Sequence, residues 1–153
     1  MPKAIPEGLR TLTPQLSLEG CAEALETWKK AFGAEEMARA PDPSGKKILH
    51  AAIRIGDSAF FANDTFPEMP QSAPKQARLW IYGENVERAF QRARDAGLKV
   101  VMQPADMFWG DRIAEVHDRW GNQWVLAQHV KDLTPAEMKK AQDEFVAKMR
   151  PQK

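Results

Sequence analysis

Cysteine is almost missing from this chain: Cys21 is the only one in 153 residues. Neither an internal disulfide nor a cysteine-built zinc cage is available to it, and a reducing compartment is expected. Neither sign of charge dominates, with Lys plus Arg at 22 against 21 for Asp plus Glu, and no basic block follows the pattern of a phosphate-tracking surface. Nucleic acid is therefore not an expected partner. Long apolar runs are also lacking, and Met1 to Arg10 carries Pro2, Pro6 and Glu7 where a secretory leader needs an apolar stretch. The expectation is a cytoplasmic protein with no membrane partner. What the chain does have is 43% hydrophobic residues. At this length that supports one well-buried core and not two, so residues 1–153 are read as a single domain.

Hydrophobic periodicity orders the chain. Thr11 to Leu18 alternates, with Leu12, Leu16 and Leu18 on one face and Thr13, Gln15 and Ser17 on the other, which predicts a strand. Ala24, Leu25, Trp28 and Phe32 then recur at helical spacing, and Gly33 supplies a left-handed stop. Met37 to Ala40 reads as a short strand, Lys47 to Ile55 alternates again, and Ser58 to Ala62 closes a hairpin through Gly56-Asp57. After a proline-rich connection through Pro67, Pro70 and Pro74, the order restarts. Ala77 to Tyr82 is a strand, Asn85 caps a helix from Val86 to Ala96, Lys99 to Met102 is a strand, and Arg112 to His117 with Gln123 to His129 forms a last hairpin.

The two helix stops, Gly33 and Gly97, lie 64 residues apart, and the hairpin glycines Gly56 and Gly121 lie 65 apart. Two copies of one βαβββ unit are predicted, about 11–63 and 77–130, each needing to cover the apolar side of a short sheet. The tail departs from the repeat. Thr134-Pro135-Ala136-Glu137 has the N-cap, first-turn proline and capping-box Glu of an appended helix over about 134–149. The fold class is α+β, a curved mixed sheet around a cavity plus a C-terminal helix.

The tandem order, the helix end Lys30-Ala31-Phe32-Gly33-Ala34-Glu35, the strand from His50 to Ser58, and the loop Phe108-Trp109-Gly110-Asp111-Arg112 together resemble PhnB-like members of the glyoxalase/bleomycin-resistance (vicinal oxygen chelate) superfamily. Asp118, Gly121 and Trp124 extend the likeness through the last strand pair. The resemblance runs from about Thr11 to Val130. It implies a homodimer and a small-molecule site, but not one activity, since that superfamily holds metal-dependent lyases, isomerases and dioxygenases alongside metal-free binding proteins.

The resemblance also implies four metal-ligand positions on the first and last strands of each module, which here fall on Thr13, Phe60, Arg78 and Val125. None is a good ligand: Phe and Val donate nothing, and a guanidinium repels a cation. A shift of one residue either way lands on equally poor donors. No metal and no cofactor is therefore expected. Strand alternation assigns Gln15, Arg54, Phe60, Arg78, Trp80 and Tyr82 to the cavity lining, with Trp109 and Arg112 at its mouth. Such a pocket suits a planar or anionic molecule that stacks on Trp80 and pairs with Arg78 or Arg54.

Two functions follow. One is a metal-independent small-molecule binding protein. The other is a lyase, isomerase or dioxygenase-like enzyme with a relocated divalent-metal or acid–base site around His50, Glu115 and His117. Module equivalence through the glycines pairs His50 with Glu115. Those three residues serve as well to satisfy one another across a sheet, and Arg54 and Arg78 as ion-pair partners of Glu115. Trp28 and Trp124 are read as core, His129 as a solvated or capping histidine, and Cys21 as a small buried residue.

Overall fold

A computed structural model describes residues 1–149, so the last four residues of the expected domain lie outside the described residues. The first module runs β1 (Gln15–Leu18), α1 (Cys21–Phe32), β2 (Glu35–Pro41), β3 (Ile48–Ile55) and β4 (Ser58–Asp64). The second runs β5 (Arg78–Tyr82), α2 (Val86–Asp95), β6 (Lys99–Asp106), β7 (Asp111–His117) and β8 (Gln123–His129), and α3 (Pro135–Met149) follows. Each module is a four-stranded mixed sheet, β1-β4-β3-β2 and β5-β8-β7-β6, with the first strand parallel to the last. The expected pair of tandem βαβββ units is what the chain forms.

Local chemistry explains the boundaries. Gly33 ends α1 in the left-handed conformation at φ 68°. The Asn85 side chain accepts the Arg88 amide at 3.0 Å to open α2. Each helix start is also held from its module's last strand. Asp64 accepts the Gly20 and Cys21 amides, and Gln128, 64 positions later, accepts the Val86 amide. Thr134 and Glu137 exchange the reciprocal bonds of a capping box at α3.

Two boundaries differ by four residues from the sequence expectation. Strand β1 begins at Gln15, not Thr11, and Leu12 is 85% exposed. Pro14 offers no donor, and only from its carbonyl onward, which accepts the Phe61 amide, does the chain join β4. Strand β6 continues to Asp106 through Pro104, because an edge strand with register shifts tolerates a residue that cannot donate.

The modules meet on their helix sides. One core joins Leu25, Trp28, Ile53 and Phe60 of the first module to Val86, Val116, Trp124 and Leu126 of the second. At its centre the Trp28 and Trp124 rings lie edge to face at 5.8 Å, and the Phe60 ring meets Trp28 at 5.6 Å. The buried Asp118 carboxylate accepts both indole N–H groups, at 3.1 and 2.9 Å, and its other oxygen accepts the Trp120 and Asn122 amides. A single carboxylate thus satisfies two indoles that water cannot reach, one from each module.

Candidate functional site

Strand alternation leaves each sheet a second face, turned away from the helices. In the second module it carries Arg78, Trp80 and Tyr82 from β5, Asp111, Ile113, Glu115 and His117 from β7, and Val125 and Ala127 from β8. Leu79 and Ile81 point the other way, into the shared core. The expected register on β5 therefore holds.

Three rings form a wall on this face. Trp80 lies between Tyr82, stacked at 6.0 Å, and Trp109, tilted at 6.3 Å. Trp80 is 38% exposed and Tyr82 is 59% exposed. The Arg78 guanidinium carbon sits 6.0 Å from the Trp80 ring and pairs with Glu115 at 2.6 Å. Glu115 also meets His117 Nε2 at 3.0 Å. Burial opposes ionisation of Glu115, but the hydrogen bonds from Arg78 and His117 outweigh it, so its carboxyl lies below the ordinary value. One end of the wall is ionic and the rest aromatic.

At the other end is a cluster that sequence reasoning missed. Asp111 is buried, and its carboxylate accepts the Tyr82 hydroxyl at 2.8 Å, the Trp109 indole at 2.8 Å and His129 Nδ1 at 2.9 Å. His129 Nε2 in turn meets Asp132 at 2.7 Å. Gly110 makes this approach feasible. Its φ is +98°, an added Cβ would collide with the Lys131 carbonyl, and its own carbonyl accepts the Val130 and Lys131 amides. The signal was present: Asp111 continues the alternation of Ile113, Glu115 and His117, and His129 continues that of Val125 and Ala127.

A groove of about 520 Å³ runs beside β5, lined by Leu12, Pro14, Phe60, Leu79, Trp80 and Tyr82 among others. The Ala77 carbonyl accepts the Gln123 amide and the Gly83 amide donates to the Ala127 carbonyl. The parallel ladder to β8 thus uses the odd-numbered residues, and the backbone groups of Arg78, Trp80 and Tyr82 face outward.

Several expected residues lie elsewhere. Phe60 is buried against Trp28 and Trp124 and reaches the groove only from the core side; its neighbour Phe61 takes the open face. Arg112 turns to the helix side, where Glu87 of α2 and Asp106 of β6 hold its guanidinium. Gln15, Arg54 and His50 are on the open face of the first module. Gln15 donates to Asn63, Arg54 pairs with Glu35, and the His50 ring meets Phe61 edge-on at 4.5 Å. His50 is thus on a different sheet from the paired Glu115 and His117.

Unequal hairpins caused the misalignment. Ile55 pairs with Ser58 across Gly56-Asp57, but His117 pairs with Gln123 across residues 118–122. Matching the glycines therefore slips the registers. Asp64 and Gln128, which hold the equivalent helix starts, make Phe61 the counterpart of Val125; Ala52 faces Phe61 and Glu115 faces Val125, so Ala52, not His50, is the counterpart of Glu115. With that correction the first-module ligand position still carries a phenyl ring. The residues here do not fit the superfamily's metal, since neither Phe61 nor Val125 can donate an electron pair and Arg78 is a cation. Among the described residues, no three His, Cys, Asp or Glu side chains converge as a metal would need. The Cys21 thiol is buried, and burial pushes it up to about 12.

Comparison with known proteins adds the following. The family model described as the Glyoxalase/Bleomycin resistance protein/Dioxygenase superfamily matches residues 15–126. Uncharacterized proteins of Mycobacterium bovis and Mycobacterium tuberculosis are each 36% identical over 140 residues, covering 85% of this chain and 90% and 81% of theirs. Among solved structures, TioX from a Micromonospora species is similar with a TM-score of 0.67 at 23% identity, covering 79% of this chain and 99% of its own. A Pseudomonas aeruginosa protein follows at 0.61 and 24%, covering 80% of this chain and 99% of its own. These two likenesses concern the fold alone.

Proposed function

Because this chain belongs to the Glyoxalase/Bleomycin resistance protein/Dioxygenase superfamily, we propose that it is a metal-independent small-molecule binding protein whose ligand stacks on Trp80. The observation that carries this reading is the wall of Tyr82, Trp80 and Trp109 with Arg78 at one end, open to solvent beside a groove. A ring face gives a flat ligand a large contact, and the guanidinium orients a carboxylate or sulfonate on it. Phenyl and isopropyl groups at the family's ligand positions support binding without a metal.

The test uses 8-anilinonaphthalene-1-sulfonate, an anionic aromatic probe. Fluorescence titration should give saturable binding that weakens in both Trp80→Ala and Arg78→Ala. Elemental analysis finding one zinc, nickel or iron per chain would sink the metal-free reading.

A lyase, isomerase or dioxygenase-like activity is the second reading, favoured by one observation. Glu115 and His117 share a hydrogen bond on the same face as the wall, as an acid–base pair would. It requires a turnover that His117→Gln abolishes. The motif Trp109-Gly110-Asp111-Arg112 supports assignment to the PhnB-like branch, and the lone cysteine a cytoplasmic location. The uncovered rings and the half-open sheets favour a homodimer, which light scattering would detect as twice the chain mass.

A further inference from the structure

Asp111 carries no role in the reading above, yet it touches two of the three rings on which that reading rests. Its Oδ2 accepts both the Tyr82 hydroxyl and the Trp109 indole N–H, while Oδ1 accepts His129. Among the described residues Trp80 makes no such bond of its own, and it is held by packing between those two rings. A carboxylate is well suited to this position. It offers acceptors on both oxygens, and ionised acceptors form shorter and stronger bonds than neutral ones. An Asn there would turn an NH₂ group toward one of three donors.

We infer that Asp111 is a positioning residue that sets the aromatic wall by gripping Tyr82 and Trp109 at their polar edges, and that His129 makes this grip pH-dependent. The inference rests on the wall being the ligand site. The groups facing His129 are Asp111 from β7 and Asp132 from the segment after β8, with Tyr82 of β5 reached through Asp111. The bonds to Asp111 and then Asp132 hold the imidazole above its ordinary value. Burial opposes charge on Asp111, but the bonds from His129, Tyr82 and Trp109 hold its carboxyl below the ordinary range. As pH rises through the His129 midpoint, the imidazolium–carboxylate ion pair becomes a bond from a neutral imidazole to the same carboxylate, and the grip on Oδ1 loosens.

The test has a ligand-free arm and a probe arm, both on the full chain. In ¹⁵N-labelled protein, the Trp109 indole N–H resonance, assigned with Trp109→Phe, should shift with pH at the same midpoint as the His129 ring protons. In Asp111→Asn the His129 midpoint should fall and the indole resonance should stop following it. Binding of 8-anilinonaphthalene-1-sulfonate should weaken about ten-fold in Asp111→Asn, the scale of one charged hydrogen bond. In the wild type it should weaken roughly three-fold above the His129 midpoint. His129→Gln keeps the buried core intact and should abolish that pH dependence, whether or not Asp111→Asn folds. An indole resonance indifferent to both His129 ionisation and Asp111→Asn overturns the proposal, as does unchanged probe affinity in Asp111→Asn. A wild type that binds no probe overturns the ligand reading of the wall, and the indole titration alone then decides the positioning role.

Discussion

The two modules share a topology and a core but differ in the rings that their open faces expose. In the first, the polar groups satisfy one another. Gln15 and Ser17 both donate to Asn63, and Arg54 pairs with Glu35. In the second, the equivalent strand carries Trp80 and Tyr82, exposed and stacked. Their edges differ too. The free edge of β1 is covered where the Lys75 amide donates to the Ser17 carbonyl. Arg10, the counterpart of Lys75 by the 65-residue repeat, donates no such bond among the described residues, and the β5 edge opens on the groove. The buried halves of the two units pack into one core, where every side chain is constrained, and the open halves carry different residues.

The comparison breaks most completely at the junction of the copies. Asp118→Ala should cost about 3 to 5 kcal/mol of unfolding free energy in urea denaturation, because two buried indole N–H groups lose their acceptor. A loss near zero would mean that the modules are not joined there.

On the open faces, the asymmetry itself can be measured. Trp80→Ala should lower affinity for 8-anilinonaphthalene-1-sulfonate by about 1 to 3 kcal/mol, and Phe61→Ala, on the first module, should leave it unchanged. Equal losses would erase the distinction between the faces. Leu79→Ala tests the register between them. It should lower stability by about 2 kcal/mol and weaken probe binding less than Trp80→Ala does, since Leu79 packs against the shared core and reaches the groove only from that side. Loss of binding with unchanged stability would place it on the other face.

The smallest effect is electrostatic. His129 has a folded pKa raised above 6.5, so its contribution to stability is fully present below that value and is lost as pH rises through the folded midpoint. Melting temperature should therefore decline across that window in the wild type, and His129→Gln should flatten the decline. A larger decline in the variant would contradict the sign.

Much of the fold was legible because local chemistry reports it. Alternation marked the strands, Gly33 and Asn85 marked helix ends, and the spacing of glycines marked the repeat. The register of Arg78, Trp80 and Tyr82 was legible for the same reason, since period two needs only one strand. What failed needed two strands at once. The glycine match gave Phe60 to the open face and paired His50 with Glu115, because it set the two hairpin glycines level although one hairpin turns through two residues and the other through residues 118–122.

By itself, then, the sequence determined the element order, the duplication and the capped tail helix, all of which depend on residue type and near-neighbour spacing. Only the tertiary structure decided which side chains share a partner. Tyr82, Trp109 and His129 are spread over three segments and meet on Asp111, just as Trp28 and Trp124 meet on Asp118. In both places a carboxylate shielded from water must find its donors within the protein, and strand pairing selects them across distances along the chain that no periodicity spans.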